Sequence, residues 1–202
     1  MAQVGHVIYK ADDLEQAVSR FREQGFDVEY GKAKNPGNAV IYFSTGPYLE
    51  IISGVFMPRF VRAYLAMRGR GRLVAASDSV AESREGYSRV VFEVPPQEFT
   101  RLARIYRDHG LRTLSPRISR RDPHGRKLSC RCLVPDTWHV PMFVTPFAID
   151  THRSSPHPNG MTRIEGIVYE GSATAMDICR RAGAEELLTY RLGAGDISVR
   201  FA

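Results

Sequence analysis

Two polar side chains stand inside β-rich runs of this sequence, where apolar residues would be expected. His6 lies near the start of the run 5–9, and Glu50 lies between two apolar residues of the run 48–52. Imidazole and carboxylate groups transfer protons near neutral pH, and both are common ligands of divalent metals. The chemistry of this pair would therefore be acid/base catalysis or, with further ligands, metal binding.

Both residues belong to a unit that spans residues 4–53 and has the pattern β-α-β-β-β. Apolar side chains recur at i, i+3, i+4 and i+7 within residues 13–24, which predicts an amphipathic helix that ends at Gly25. Gly- and Pro-containing turns separate the strand-like runs. These runs lie at residues 4–9, 26–30, 38–43 and 48–52. The predicted unit places His6 on its first strand and Glu50 on its fourth.

The same pattern returns after a helical connection, which makes an internal repeat. The second unit has a strand at 88–94, a helix at 96–109 and strands at 111–118, 126–134 and 140–147. The connection is expected to contain one amphipathic helix over 55–71 and then, over 75–86, a solvated linker or a mobile lid. The predicted divisions of the chain are 1–54, 55–86, 87–148 and 149–202.

The last division, residues 149–202, resembles a third unit that lacks at least one strand. Its pattern is a strand at 164–169, a short helix at 173–182 and two strands around 187–192 and 196–201. We expect this partial unit to cover one end of the other two, or to help pair two chains in a homodimer.

The composition argues against several classes of protein. The chain has 202 residues, of which 43% are apolar and 25% charged, as in ordinary soluble globular proteins. The net charge of +6 comes mostly from arginines spread along the chain, which disfavours a nucleic-acid partner. No window is apolar enough to span a membrane, so no membrane partner is expected.

The three cysteines, in a chain that shows no export signal, predict reduced thiols and a cytoplasmic location. Cys130 and Cys132 are two residues apart on a predicted strand and therefore point to one face. Without further Cys or His residues in register, the interpretation as buried apolar side chains is favoured over a zinc or redox site.

Two consecutive β-α-β-β-β units of this kind resemble the vicinal oxygen chelate superfamily, which includes glyoxalase I, extradiol dioxygenases, fosfomycin-resistance enzymes and bleomycin-binding proteins. The resemblance covers roughly residues 4–169. Its motifs are Gly-His-Val-Ile at 5–8, Gly-Pro-Tyr-Leu-Glu-Ile-Ile at 46–52, Arg-Val-Val-Phe-Glu-Val-Pro at 89–95 and Asp-Pro-His-Gly at 122–125. With Val-Pro-Met-Phe-Val at 140–144 and His-Pro-Asn-Gly at 157–160, they indicate the glyoxalase-like subgroup. The resemblance implies an α+β fold, in which paired βαβββ modules form a cup-shaped, curled mixed sheet with helices outside.

In that superfamily, inward residues on the first and fourth strands of both units can hold one divalent metal. The matching positions here are His6, Glu50, Arg89 and Thr145. A guanidinium has no free lone pair, and a neutral hydroxyl is a poor ligand for Zn²⁺, Ni²⁺ or Fe²⁺. We therefore expect no metal cofactor; if a metal does bind, His6 and Glu50 would hold it.

Without a metal, the resemblance implies a small-molecule enzyme of the lyase, isomerase or cyclase type that acts in secondary metabolism. Glu50 and His6 would transfer protons, while Arg89 would bind a carboxylate, phosphate or enolate oxygen of the ligand. Thr145 is a further expected substrate-binding residue. The candidate aromatic walls of the binding site are Tyr48, Phe92, Phe143 and Trp138.

Three alternatives to this interpretation remain open at the level of sequence. Arg89 and Glu50 could form a purely structural ion pair across the cup floor, with His6 beside them. The protein could sequester an antibiotic or another aromatic compound without catalysis. It could also be a metal-dependent glyoxalase or dioxygenase, which the missing ligands disfavour.

Overall fold

The computed structural model describes residues 2–55, 57–184 and 187–202. The first unit folds as predicted, with a helix between its first and second strands. Its elements are β1 (Gln3–Lys10), α1 (Leu14–Glu23), β2 (Glu29–Tyr30), β3 (Asn38–Ile41) and β4 (Tyr48–Ile52). The Asp13 side chain caps α1 by accepting a hydrogen bond from the backbone N–H of Gln16. The predicted apolar stripe is the buried face of this helix, because Leu14, Ala17, Val18 and Phe21 are all buried.

The connection and the second unit follow in chain order. Their elements are α2 (Arg59–Met67), α3 (Gly71–Glu82), β5 (Gly86–Glu93), a 3-10 turn (Pro96–Glu98), α4 (Phe99–Asp108), β6 (Thr113–Leu114), β7 (Arg117–Arg121), β8 (Lys127–Pro135) and β9 (Met142–Val144). The expectation of a solvated linker over 75–86 is wrong, since most of this stretch belongs to α3. Leu73 and Val80 of α3 are buried, two turns apart on one face of the helix.

The C-terminal part forms the predicted partial unit. Its elements are β10 (Ile164–Gly171), α5 (Ala173–Ala182), β11 (Leu188–Leu192) and β12 (Ile197–Phe201). They make a separate three-stranded sheet in the order β11-β10-β12. Apolar residues of this unit, among them Ile167 and Ile178, join the core that lies under α1 and α4. The partial unit therefore packs on the helix side of the main sheet.

The two complete units share one nine-stranded sheet, in the order β2-β3-β4-β1-β5-β9-β8-β6, with β7 also pairing with β8. The first strands of the two units, β1 and β5, are antiparallel neighbours at its centre. Each pairs in parallel with the last strand of its own unit, β4 or β9. This confirms the predicted α+β class with paired modules, and both halves of the cup come from one chain.

Side-chain alternation along β1 gives the sheet two different faces. Val7 belongs to the large core on the helix side. Ile8 belongs to a smaller cluster on the opposite, concave face, which we call the cup cluster. Its buried members are Ile8, Ile52, Val80, Val91, Cys132 and Val144. None of the helices that the structure describes is both long enough and apolar enough to cross a membrane.

Candidate functional site

One row of residues across the centre of the sheet contains two of the predicted functional groups. Ile8 of β1 pairs with Glu50 of β4 on one side and with Arg89 of β5 on the other. Paired residues on adjacent strands project to the same face, and two strand spacings separate their Cα atoms by about 10 Å. Glu50 and Arg89 therefore flank Ile8 on the concave face, with room for a small group between them.

The Glu50 carboxylate is held by two neighbours within its own unit. Asn38 Nδ2 donates a hydrogen bond of 2.6 Å to Oε1, and His6 Nε2 lies 3.3 Å from Oε2. The Glu50 side chain is 22% exposed, while that of His6 is only 6% exposed. Burial by itself would raise the pKa of Glu50, but the contacts with His6 and Asn38 outweigh it and hold the pKa below its usual value. Glu50 is therefore an ionised carboxylate at neutral pH.

Arg89 is buried and is held by backbone carbonyls rather than by a carboxylate. Its Nε donates to Val140 O at 3.0 Å and its Nη2 to Thr137 O at 2.6 Å. The guanidinium carbon lies 4.1 Å from the centroid of the Trp138 ring, which is a close cation–π contact. Burial lowers the pKa of Arg89 to about 10, so the side chain stays cationic at neutral pH. Within the described residues, Nη1 makes no hydrogen bond.

Glu50, Arg89 and Trp138 line one cavity of about 830 Å³, which we call the cup cavity. Most of its other lining side chains are apolar and come from the sheet and from α3. They include Ile8, Ile52, Leu73, Val134 and Met142. The Trp138 indole Nε1–H is buried and has no hydrogen-bond partner among the described residues. The cavity therefore has one anionic side chain, Glu50, and two cationic ones, Arg89 and Lys32, within largely apolar walls.

Helix α3 covers the cup cavity and is tied to the rest of the fold at both ends. At its C-terminal end, Lys10 Nζ donates a 2.7 Å hydrogen bond to Ser83 O. Before its N-terminal end, Arg112 Nη1 donates to Gly69 O at 3.2 Å, and within its first turn Arg72 Nε lies 3.5 Å from Asp136 Oδ2. These contacts make α3 a fixed cover of the cavity.

The remaining polar candidates lie outside the cup cavity. His6 is packed behind Glu50 and stacks on Tyr48, with ring centroids 4.6 Å apart and planes 16° from parallel. Tyr48 lines a neighbouring cavity next to Asp150 and His152. Thr145 lines a third cavity, where its hydroxyl oxygen accepts a hydrogen bond from Arg131 N at 3.0 Å. The structure thus brings together Glu50, Arg89 and Trp138 but separates them from Tyr48 and Thr145.

Two predicted ligand-contacting residues are core residues instead. Phe92 and Phe143 are 0% exposed and stack on each other in the helix-side core, with ring centroids 5.6 Å apart. Neither lines the cup cavity, because Arg89 and Phe92 are three residues apart on β5 and therefore point to opposite faces. The prediction that these two rings form aromatic walls of the binding site is wrong.

The structural ion pair considered between Arg89 and Glu50 is also absent from the described residues, since each group uses other partners. Its absence leaves both charges directed to the cavity rather than neutralised by each other. The two opposite charges on one row of the sheet are the main polar feature of the cup.

Sequence reasoning did not identify Asn38 as part of the site, or Glu93 as a second carboxylate on the same face of the sheet that lines neighbouring cavities. Asn38 binds Glu50 directly, but the register that brings β3 beside β4 cannot be read from local sequence. Glu93 lies on the same face of β5 as Arg89 and Val91, because side chains alternate along a strand, and it pairs with Gln3 of β1. Burial raises the pKa of Glu93, although His6 and Gln3 act in the opposite direction. Alternation from Arg89 was the signal that could have revealed this second carboxylate.

The four positions that match a superfamily metal site do not fit a divalent metal. His6 and Glu50 are in contact with each other, Arg89 is a permanent cation, and the Thr145 hydroxyl faces a different cavity. The described residues contain no group of three or more His, Cys, Asp or Glu side chains that could hold a metal ion. The donor set therefore offers a metal two adjacent ligands next to a guanidinium that would repel it.

The chain folds as two βαβββ units that share one sheet with a cavity on its concave face. Residues 4–177 match the model of the glyoxalase-like domain, and the chain belongs to this family. The predicted resemblance to the vicinal oxygen chelate superfamily and its glyoxalase-like subgroup is confirmed.

One solved structure shows a similar fold. The crystal structure of a hypothetical protein from Staphylococcus aureus is 13% identical, with a TM-score of 0.56, and the match covers 89% of this chain and 74% of that chain. A crystal structure of catechol 2,3-dioxygenase is 11% identical, with a TM-score of 0.47 over 90% of this chain and 57% of that chain. At such identities the likeness concerns the fold alone. A comparison with curated protein sequences gives no match.

Proposed function

We propose that the cup cavity binds a small amphipathic metabolite with an anionic or carbonyl oxygen, and that the protein transforms it without a metal, as a lyase or isomerase. The observation that supports this proposal is the separation of Glu50 and Arg89. Both flank Ile8 and line the same cavity, yet each is held by partners of its own. An ion pair would have been the simplest way to satisfy both charges, so their separation leaves two charged groups for a ligand.

Arg89 is suited to bind the ligand's oxygen. Its Nη1 is unused by described residues, and the neighbouring Trp138 Nε1–H is a second unused donor. A carboxylate or enolate oxygen would receive charge-assisted hydrogen bonds from the guanidinium, which are stronger in a cavity with apolar walls. An apolar or aromatic part of the ligand would then contact Ile52, Leu73 and Met142.

Glu50 would act as the base. Its carboxylate takes a proton from the carbon next to the ligand's carbonyl. The electron pair of that C–H bond forms a C=C bond, and the π electrons of the carbonyl move onto its oxygen. Arg89 stabilises the negative charge that develops there. The protonated Glu50 then returns the proton to a neighbouring carbon in an isomerisation, or to a leaving group in a lyase reaction. His6 holds Glu50 in place and balances its charge, and is therefore a positioning residue.

Phenylpyruvate is a suitable probe, because it combines an aromatic ring, a carboxylate and acidic C–H bonds. The protein and phenylpyruvate are incubated in D₂O, and NMR measures deuterium incorporation at the methylene carbon above the rate in buffer. We expect Glu50→Gln to lower the protein-dependent rate by about 100-fold or more, as for loss of a general base. Arg89→Met should raise the phenylpyruvate concentration needed for half-saturation. Glu93→Gln is the matched control, because Glu93 is a carboxylate on the same sheet face that lines other cavities.

A specific observation favours sequestration as the second candidate function. The lowered pKa of Glu50 makes its carboxylate a weak base, and the cavity is mostly apolar. Saturable phenylpyruvate binding that weakens in Arg89→Met, without any protein-dependent exchange, would identify a binding protein and refute the enzymatic proposal. Binding that is equal in wild type and Arg89→Met would refute the role of Arg89 in both functions.

A further inference from the structure

Two thiols lie in the wall between the cup cavity and the cavity that contains Thr145. Cys132 lines the cup cavity, and Cys130 lines the other, which has a volume of about 710 Å³. The two Sγ atoms are 3.8 Å apart, on the same face of β8. Cys132 is buried, whereas Cys130 is half-buried. The pair therefore has one thiol that a reagent can contact and a second thiol directly behind it.

The strand geometry allows these thiols to form a bond but disfavours keeping it. Cα atoms two residues apart on a strand are separated by about 6.6 to 6.8 Å, at the upper end of the range for disulfides. Closing the bond brings the sulfur atoms from 3.8 Å to about 2.05 Å, so the strand must bend locally. The strand β8 is paired with β7 at Cys130 and with β9 at Cys132. These pairings oppose the bend, and strained disulfides are the readily reduced ones.

The three cysteines differ in burial and in thiol pKa, so a reagent in solution should react with them at different rates. The pKa of Cys130 is lowered, chiefly by the hydrogen bond with the Cys132 thiol. Burial and the carboxylates of Glu50 and Glu93 would raise this pKa, and Arg120 lowers it further. The pKa of Cys132 is raised. Cys179 is 0% exposed in the core beneath α5, where burial raises its pKa to about 12. Cys130 is half-buried and lines a cavity, so it is the thiol of the pair that a reagent can reach, and the buried Cys179 is an internal control.

We propose that Cys130 and Cys132 form a reversible dithiol–disulfide pair, oxidised by a low-molecular-weight disulfide that enters the cavity at Cys130. The Cys130 thiolate attacks one sulfur of the reagent, forms a mixed disulfide and expels one thiolate. The Cys132 thiol then loses its proton and attacks Cys130 Sγ, which expels the second thiolate. Two protein thiols are oxidised, the reagent is reduced to two thiols, and the protons of Cys130 and Cys132 end on those products. This site is independent of the function proposed for the cup.

The test uses the reduced full chain and oxidised glutathione as the probe. After incubation, the free thiols are alkylated in denaturant and counted by intact-mass spectrometry, with and without a phosphine reductant. Of the three cysteines, we expect only one to be alkylated after oxidation, and all three after reduction. Peptide mapping should identify the alkylated residue as Cys179.

Single variants separate the two steps of the reaction. Cys132→Ser should stop at a stable glutathione adduct on Cys130, Cys130→Ser should react at least tenfold more slowly, and Cys179→Ser should behave as wild type. Trp138, the only tryptophan, packs against the cluster that contains Cys132. Its fluorescence should therefore change on oxidation of wild type and recover on reduction, but not change in Cys132→Ser. A wild-type protein that keeps three alkylatable thiols, or that stops at a glutathione adduct, would overturn the proposal.

Discussion

The two carboxylates on the concave face should affect stability with opposite dependence on pH. Glu50 accepts a 2.6 Å hydrogen bond from Asn38 and contacts His6 at 3.3 Å, and its pKa lies below the usual value. For Glu93, burial outweighs the opposite effects of His6, Gln3 and His152 and raises the pKa. A depressed carboxyl pKa stabilises the folded state above the unfolded pKa of about 4.3, and this contribution is lost as the pH falls. A raised pKa has the reverse effect, because the penalty of the buried charge appears only as the pH rises.

The magnitude follows from the contacts that would be lost. A hydrogen bond to a charged group contributes about 1.5–3 kcal/mol. Glu50 has one short bond of this kind and one longer contact, and its side chain is 22% exposed, which reduces the effect. Glu50→Gln keeps the shape and one acceptor, so we expect it to lower the free energy of unfolding at pH 7 by about 1–2 kcal/mol. For a domain of this size, the melting temperature should fall by about 2–8 °C.

The assay is urea unfolding of wild type, Glu50→Gln and the matched control Glu93→Gln, between pH 7.5 and about pH 2.5, a range that extends below the unfolded carboxyl pKa of about 4.3. The deficit of Glu50→Gln should stay constant down to about pH 5 and shrink only as the pH falls below the unfolded pKa of about 4.3. Glu93→Gln should be neutral or stabilising at pH 7.5, because it removes a charge that burial disfavours, and this gain should also vanish toward pH 4. A Glu50→Gln deficit that persists unchanged to about pH 2.5, or that already shrinks above pH 5, would refute the assignment of Glu50 as a partnered carboxylate. Equal losses in both variants at pH 7.5 would refute the contrast between them.

Three further outcomes follow from the packing. Phe143→Ala should lower the free energy of unfolding in urea by about 3–5 kcal/mol, as expected for a fully buried ring, while leaving phenylpyruvate binding by the folded protein unchanged. Gly25→Ala should lower the melting temperature, because Gly25 has a φ of 81° and a Cβ there would lie 2.8 Å from Asn159 Cβ; the cost should be about 1–3 kcal/mol. Arg72→Ala removes an exposed contact with Asp136 worth at most about 1 kcal/mol, and should speed amide hydrogen exchange in the first turn of α3 up to about fivefold, with global stability almost unchanged.

The general fold could be predicted because its local signals agree with one another. The apolar period of α1, the cap at Asp13 and the turns between strands all indicate the same β-α-β-β-β unit, and the unit occurs twice. The parallel pairing of β1 with β4 and the antiparallel pairing of β1 with β5 involve residues far apart in sequence. Local sequence does not predict these pairings, and only the resemblance to a known superfamily indicated that the two units pair.

Helix α3 shows where local patterns were too weak. Its sequence is rich in alanine and serine, and its buried face depends on Leu73 and Val80 with small residues between them. The stretch predicted as a linker, 75–86, begins after Leu73. Of the two large side chains that α3 buries, it therefore contains Val80 alone. Tertiary packing over the cup decides its structure, since Val80 is buried among the cup cluster.

The wrong predictions at the binding site were made from residue type alone, without considering which face of the sheet each strand position points to. Phe92 and Phe143 are aromatic and close in sequence to candidate residues, but alternation places them on the helix side of the sheet. Trp138 does line the cavity, although it lies on the connection between β8 and β9, where no alternation rule applies. Counting positions along β5 from Arg89 would have placed Phe92 on the helix side of the sheet and Glu93 on the concave face.

The buried guanidinium is the feature that most requires a functional explanation. Moving Arg89 out of water costs free energy, and within the described residues only two carbonyls and the Trp138 ring compensate for it. A methionine or leucine in this row would pack beside Ile8 without that cost, and a carboxylate partner would have reduced it. Glu50 lies on the same row but is held by Asn38 and His6 instead. A stable fold alone does not need this arrangement, whereas a ligand that brings its own negative oxygen to Arg89 and an acidic C–H bond to Glu50 would complete it.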